Sequence, residues 1–120
     1  MKQWIDDHLR SKAATEKDYQ EEWGAHRYLI RGKMFAMHGG DKDGKEILTL
    51  KLKPEHSEEL RELYAGTVVP GYYMNKAHWS SIYLANEFSD DLLKKLIDES
   101  HALILGGFSK KMQREILEGK

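Results

Sequence analysis

Residues 25–53, AHRYLIRGKMFAMHGGDKDGKEILTLKLK, decide the fold class. Ala25 to Ile30 and Lys33 to His38 are rich in strand-forming residues, and Arg31-Gly32 between them is a short hairpin signal. A turn rich in glycine and aspartate then leads into Ile47 to Lys53, where leucines alternate with other residues. We therefore predict three antiparallel strands joined by two tight turns.

Helices are predicted before and after these strands in the sequence. Met1 to about Lys12 places its apolar residues on one helical face, and Pro54 begins a second helix at a position where its missing N–H costs nothing. Ser89 caps a long final helix that Gly106-Gly107 breaks, and Ser109 to Leu117 adds a basic helical turn or two.

Two more strands are predicted, around Val68 to Met74 and over Trp79 to Leu84. Residues 13–24 show no sustained hydrophobic period, so we expect them to cross the surface as a connector. The resulting order is α-β-β-β-α-β-β-α. It predicts one α+β domain over residues 1–120, in two layers, with an antiparallel sheet covered by helices on one face.

The composition restricts the class of protein. With 40% apolar and 32% charged residues among 120, the chain is expected to be globular and to bury a single core. The absence of cysteine excludes disulfides and thiolate metal sites. The longest apolar run, Ala102 to Leu105, is too short to cross a bilayer, and residues 1–12 lack a signal-peptide pattern. We expect a cytoplasmic protein without a membrane partner.

Charge is segregated along the chain although the net charge is only −1. Residues 25–53 carry seven bases and three acids, and the last fifteen residues carry four bases and two acids. Residues 54–66 and 85–105 each have a balance of −3. A near-neutral protein is not expected to bind nucleic acid over its whole surface, but its predicted strands are basic.

Motifs for catalysis or cofactor binding are missing. The six histidines do not follow the H-E-x-x-H spacing of a zinc helix, and the turn after Asp41 departs from a calcium loop. No nucleophile motif occurs, and the glycines before Lys110-Lys111 lack P-loop spacing, although a weak anion site at Ser109 stays open. We therefore expect no enzymatic activity, cofactor or metal.

The segment Pro70 to Trp79, PGYYMNKAHW, suits molecular recognition. Its tyrosines and its tryptophan offer flat apolar faces, while Asn75, Lys76 and His78 offer hydrogen bonds and charge. The preceding Pro-Gly pair predicts a defined turn before the next strand.

The sheet is predicted to have an uncovered face. If Leu48 and its alternate leucines face the helices, then Thr49 and Lys51 point the other way, where Trp79 and Tyr83 join them. Such a surface, with lysines among aromatic rings, can stack bases and neutralise phosphates. The alternative is that Trp79 covers the sheet or packs under a loop.

Several of these short motifs resemble the MmcQ/YjbR family of small bacterial proteins, which are usually described as DNA-binding. The motifs, in order, are Gly32-Lys33-Met34-Phe35-Ala36, Leu50-Lys51-Leu52, Pro70-Gly71-Tyr72, Met74-Asn75-Lys76, His78-Trp79, Leu92-Leu93 with Leu96-Ile97, and Lys110-Lys111. The resemblance implies an α-β3-α-β2-α fold, which is also seen in secretion-chaperone-like domains. It implies no catalytic residues. The chain departs from the family pattern at Lys12 to Thr15, where a Pro-Gly is common, and at Ala77, where a base is common.

The predicted function is a small, non-catalytic, DNA-binding module. In it, Asn75 is the residue most able to contact a base edge, and the lysines contact phosphates. One alternative is a protein-interaction or chaperone-like module, in which the aromatic loop anchors a partner protein or a second copy of the chain. Another is a small-ligand pocket or enzyme near Tyr72, His78 and Trp79. The candidate nucleic-acid-binding residues are Lys33, Lys51, Lys53, Tyr72, Asn75, Lys76, His78, Trp79, Lys110 and Lys111.

Overall fold

An antiparallel sheet of six strands, covered on one face by helices, forms the framework of the protein. The structure is a computed structural model that describes residues 1–72 and 74–119. The strands lie in the order β1-β2-β3-β4-β6-β5, which confirms the predicted α+β class. The elements are α1 (Gln3–Ser11), β1 (Thr15–Gln20), β2 (Ala25–Ile30), β3 (Lys33–Gly40), β4 (Glu46–Lys51), α2 (Pro54–Leu63), β5 (Val68–Pro70), β6 (Trp79–Tyr83), α3 (Asp90–Gly106) and α4 (Lys110–Leu117).

Strand β1 corrects the prediction of a connector over residues 13–24. It pairs with β2 from Thr15 opposite Ile30 to Gln20 opposite Ala25, and it forms one edge of the sheet. Residues 16–19 are all exposed, so the strand has no buried alternate residues. The hydrophobic period that reveals a strand is therefore absent here, and backbone pairing holds the segment in place.

Strand β5 forms the opposite edge and is shorter than predicted. It ends at Pro70, whereas the sequence predicted a strand as far as Met74. Proline has no N–H for the ladder, and an edge strand tolerates it. Tyr72 lies in a turn beyond the strand, and Tyr73, which was predicted to belong to the strand and to the partner-binding loop, lies outside the described residues.

The core lies between the sheet and the helices. Leu48, Leu50 and Leu52 are buried there, as the alternation predicted. The pairing of β2 with β3 shifts register, so that Tyr28 faces Ala36 and Leu29 faces Met34. The shift leaves Phe35 without a paired residue, as in a β-bulge. The helices contribute Ile5, Leu9, Leu60, Leu93, Leu96, Ile97, Ile104 and Ile116 to this core.

Ser100 of α3 joins the helix layer to the sheet. Its hydroxyl donates to the carbonyl of Phe35 at 2.5 Å and accepts from the N–H of Lys51 at 2.9 Å. A buried backbone group without a partner is costly, so the hydroxyl stabilises the irregular stretch of β3 together with the end of β4. Within residues 1–72 and 74–119, none of the helices combines the length and the apolar character that a membrane span requires.

Asp6 is a buried carboxylate that connects α1 to the first two strands. It accepts hydrogen bonds from the Nζ of Lys17 at 2.8 Å, the hydroxyl of Tyr28 at 2.6 Å and the Nε of Arg10 at 2.8 Å. Burial opposes the ionisation of Asp6, but these hydrogen bonds outweigh it and lower the pKa of the carboxyl to about 2. The ionised form therefore stabilises the fold.

The variant Asp6→Asn tests this connection. A carboxyl whose pKa is lowered on folding contributes stability above its unfolded pKa and loses that contribution as the pH falls towards the folded value. We expect Asp6→Asn to lower the free energy of unfolding at pH 7 by about 2 kcal/mol. The difference from the parent should shrink between about pH 4 and pH 2.

Urea denaturation at a series of pH values measures both quantities. Asp7→Asn, which removes an exposed carboxylate from the same helix, controls for the loss of one negative charge. A difference between Asp6→Asn and the parent that stays constant from pH 7 to about pH 2 would contradict the stabilising role of the charge.

Candidate nucleic-acid interface

Three connections of the sheet meet at one of its ends. Because the strands are antiparallel, the β2–β3 turn, the end of β4 and the β5–β6 loop all lie on the same side. Lys51, at the end of β4, pairs directly with Trp79, at the start of β6. We call this region, residues 31–33, 51–53, 70–72 and 74–79, the loop end.

Helix α4 brings a fourth segment to the loop end. A guanidinium nitrogen of Arg31 contacts the sulfur of Met112 at 3.5 Å, and the Nζ of Lys33 lies 5.0 Å from the centroid of the Phe108 ring. These contacts hold the start of α4 against the β2–β3 turn. Lys110 and Lys111 lie in the first turn of this helix, so they come to the loop end with the other candidate lysines.

The β5–β6 loop is fixed by its own hydrogen bonds. The N–H of Gly71 donates to the carbonyl of Trp79 at 2.8 Å, and Lys76 Nζ donates to the carbonyl of Gly71 at 3.0 Å. The amide oxygen of Asn75 accepts from the N–H of Ala77 at 2.9 Å. A Cβ on Gly71 would lie 2.8 Å from both the Cβ and the carbonyl oxygen of Trp79, so the close approach requires glycine.

Arg61, which is not among the predicted site residues, connects this loop to helix α2. Its Nη2 donates to the carbonyls of Lys76 at 2.6 Å and Trp79 at 2.8 Å, and to the hydroxyl of Ser80 at 3.0 Å. Burial lowers the pKa of the guanidinium, and Glu58 opposes that shift. Within the described part of the chain no carboxylate forms an ion pair with Arg61, so its positive charge adds to the field of the loop end.

A sequence signal for Arg61 does exist. The residue follows Ser57 by four positions and Leu60 by one, and both of these are buried against the sheet. A charged residue on the buried stripe of an amphipathic helix calls for a polar partner inside the fold. Its carbonyl acceptors come from a loop about fifteen residues away, which no local pattern reveals.

The second face of the sheet is not open at its centre, which corrects the prediction of an uncovered surface. Thr49 and Ser81 are fully buried there and share a hydrogen bond of 2.7 Å. The N–H of Tyr72 donates to the hydroxyl of Ser81 at 3.2 Å, and the Tyr72 and Tyr83 hydroxyls lie 3.1 Å apart. The alternation placed these residues on the correct face, but the β5–β6 loop folds back along β6 and shields them.

Tyr72 therefore has a structural contact that the sequence did not foresee. The Tyr83 hydroxyl that it meets donates in turn to Asp41 at 2.7 Å. The bonds with Tyr72 and Asp41, together with burial, raise the pKa of Tyr83, so its hydroxyl stays protonated. In the alternative function, Tyr72 would be one of the rings that anchor a partner protein, but here it already has contacts within the fold. The place of Tyr72 on the nucleic-acid-binding surface stays a prediction.

The other candidate side chains remain accessible to different degrees. Trp79 is partly exposed, and Lys51, its cross-strand partner, is also partly exposed. The amide oxygen of Asn75 already accepts one hydrogen bond, which leaves its second lone pair and its NH₂ group for a ligand. The exposed candidates are Lys33, Lys53, Asn75, Lys76, His78, Lys110 and Lys111.

A cavity of about 330 Å³ opens at the opposite end of the sheet. It lies between the start of α1, the end of β6 and the start of α3, and Glu46, Glu87 and Asp90 contribute carboxylates to its lining. Tyr72, His78 and Trp79 do not line it, so this cavity gives no support to a small-ligand pocket at those three residues. Carboxylates thus line the cavity at one end of the sheet, whereas the candidate lysines lie towards the other end.

The chain matches a known protein family. The family model described as YjbR matches residues 10–103. The chain belongs to the YjbR family. The match includes the loop end, whereas Lys110 and Lys111 lie beyond it, so their proximity to the site rests on the contacts of α4.

Three relatives align with this chain over most of its length and most of their own. YbdF of Escherichia coli O157:H7 is 36% identical over 77% of this chain and 74% of its own length, and YjbR of E. coli K12 is 31% identical over 76% and 75%. YyaQ of Bacillus subtilis is 31% identical over 80% of this chain and 91% of its own length. All three are named as uncharacterized proteins, so these names supply no activity.

Two crystal structures have the same fold. A Deinococcus radiodurans protein with the domain DUF419 matches with a TM-score of 0.84 and 25% identity, over 93% of this chain and 84% of its own. A Pseudomonas syringae protein matches with a TM-score of 0.71 and 24% identity, over 87% and 98%. These similarities support the α+β architecture.

The close approach of Gly71 to Trp79 gives a test of the loop. Gly71→Ala should lower the free energy of unfolding by about 1–3 kcal/mol, because the new methyl group collides with backbone that cannot move freely. Gly106→Ala is the matched control, since its added Cβ meets no described atom within 4 Å beyond its chain neighbours and its own helix backbone, and it should leave stability unchanged or raise it by up to about 1 kcal/mol. Urea denaturation of both variants measures the difference, and equal stabilities would contradict the tight packing.

Proposed function

We propose that this YjbR-family protein is a non-catalytic nucleic-acid-binding module that contacts DNA through the loop end. The observation that carries the proposal is that lysines from four separate segments lie at the same end of the sheet as the partly exposed Trp79. The family match and the named relatives leave the function open, so the proposal rests on this geometry.

The charge at the loop end supports binding to a polyanion. Lys53, Lys110 and Lys111 are exposed, and none of them uses its ammonium in an ion pair with any described residue. The carboxylate of Glu99 is near, but it already accepts from His56 at 2.6 Å and from the N–H of Lys53 at 3.1 Å. Exposed ammonium groups that are not held in ion pairs can neutralise several phosphates of one strand.

The polar groups of the loop favour binding without strong sequence preference. A bidentate contact to adenine needs both the oxygen and the nitrogen of an asparagine side chain. The oxygen of Asn75 already accepts from Ala77 and has one lone pair left, so a bidentate contact is restricted to the orientation that this hydrogen bond imposes on the amide. Lysines hold the phosphate backbone without reading the sequence, and a flat ring such as that of Trp79 stacks on any base.

Salt dependence tests the phosphate contacts. We expect the logarithm of the association constant for short single-stranded DNA to fall linearly with the logarithm of the salt concentration, with a slope of about −0.7 for each neutralised phosphate. The triple variant Lys53→Ala, Lys110→Ala, Lys111→Ala should make this slope shallower by up to about 2 and weaken binding at low salt. Fluorescence anisotropy with a labelled oligonucleotide measures both.

The matched control removes three lysines from other surfaces. Lys42, Lys45 and Lys95 are exposed, with the first two in the turn at the far end and the third on α3. The triple variant Lys42→Ala, Lys45→Ala, Lys95→Ala should bind with the slope of the parent. Equal loss in both triple variants, or no binding by the parent near about 50 mM salt, would rule the proposed surface out.

Stacking on Trp79 gives an independent test. Trp79→Leu should weaken binding to single-stranded DNA by about 1–3 kcal/mol with an unchanged salt slope, because it removes a ring and no charge. Trp79→Phe keeps an aromatic face and should lose less. Because the ring is partly buried, the stability of both variants is also measured by unfolding curves. If the loss of affinity follows only the loss of stability, and not the loss of the aromatic ring, stacking is contradicted.

A further inference from the structure

Strand β1 has an unpaired outer edge. It bonds to β2 on one side only, and within the described residues no strand lies beyond it. The other edge of the sheet, β5, has only three residues and ends in Pro70, so it offers little backbone to a partner. An exposed edge of six residues is a template for a further strand.

Self-pairing of this edge is unfavourable for a geometric reason. In an antiparallel pair, two residues that face each other either both direct their N–H and C=O groups towards the partner or both direct them away, so two copies of β1 must pair residues of the same parity. The two registers with the greatest overlap place Lys17 opposite Lys17 of the second copy with Glu16 opposite Asp18, or place Asp18 opposite Asp18. Like charges directly opposite each other destabilise a sheet, so a second copy of the chain is not the expected occupant.

The unpaired charges around the edge are negative, so they favour a positively charged partner. Lys17 is paired with Asp6 and Asp18 with Arg27, so these charges are balanced. The exposed carboxylates of Glu16, Glu21 and Glu22 form no ion pair with any residue of the described ranges. The edge and its hairpin therefore carry three unbalanced negative charges.

Exposed rings lie beside these carboxylates. Tyr19 is 53% exposed and Trp23 is 40% exposed, and both are among the most exposed large apolar residues of the described chain. Tyr19 lies on the same face as His26, with the two rings 4.9 Å apart. Aromatic faces of this kind contact the alkyl stems and the charged heads of lysine and arginine.

We infer that the outer edge of β1 is a docking site for an extended, basic segment of another protein, which adds to the sheet as a seventh strand. Backbone hydrogen bonds would supply affinity for any extended segment, and Glu16, Glu21 and Glu22 would select segments with basic side chains. This site lies on a different edge from the loop end and does not depend on nucleic-acid binding.

A synthetic peptide of about eight residues, alternating lysine and threonine, serves as the probe. It should bind in a saturable manner and slow the hydrogen exchange of alternate amides between Thr15 and Gln20. The same peptide with alternate backbone nitrogens methylated keeps its charge but cannot complete the ladder, and it should bind roughly tenfold more weakly or worse. Fluorescence anisotropy and exchange monitored by NMR measure these effects.

Charge-neutral variants complete the experiment. Glu16→Gln, Glu21→Gln, Glu22→Gln together should abolish most of the peptide affinity and leave DNA binding at the loop end unchanged. The control Glu55→Gln, Glu59→Gln, Glu62→Gln removes three exposed carboxylates from α2 and should bind the peptide as the parent does. Absence of binding, equal binding of the methylated peptide, equal loss in both triple variants, or protection outside β1 would each overturn the inference.

Discussion

The guanidinium of Arg61 is the interaction on which the loop end depends. An irregular loop cannot satisfy its carbonyls through a ladder, so other donors are needed. One side chain supplies them to Lys76 and Trp79 and also reaches Ser80 at the start of β6. Lysine has a single nitrogen and lacks the planar fork, so it could not hold this geometry. The positive charge that fixes the loop also contributes to the field of the lysines around it.

The sheet determines how firmly the other candidate groups are held. Lys51 belongs to β4, whose last N–H is bound by Ser100 of α3, and Trp79 is its cross-strand partner. Groups on paired strands keep their separation better than groups on free loops do. Lys110 and Lys111, in contrast, depend on the packing of α4 through Phe108 and Met112. The site therefore combines a rigid centre with a margin whose position depends on a single short helix.

The sequence predicted those parts of the fold that follow from local periodicity. The alternating leucines of β4 indicated both a strand and its buried face, and the hairpin at Arg31-Gly32 followed from turn chemistry. Strand β1 could not be predicted in this way, because residues 16–19 are exposed on both faces and only pairing with β2 makes them a strand. The edge is visible only from the sheet as a whole.

The candidate site was predictable in its residue types and less so in their contacts. Lysines of distant segments do meet at one end, since antiparallel strands bring their connections together. The burial of Thr49 and Ser81 and the role of Arg61 arise instead from the path of one loop across β6 and under α2. Such contacts join residues that are far apart in the sequence. The alternation of apolar and polar residues within a strand contains no information about them.

The hydrogen-bonded series Tyr72–Tyr83–Asp41 runs along β6 and joins the loop end to the turn that begins at Asp41. The carboxylate of Asp41 also accepts the N–H groups of Asp43 and Lys45, so it organises that turn. Local opening of a protein proceeds in contiguous cooperative units, and groups that share such a network tend to open together. Opening of the turn at Asp41 would therefore break a hydrogen bond of Tyr83, whose hydroxyl also meets that of Tyr72 at the loop end.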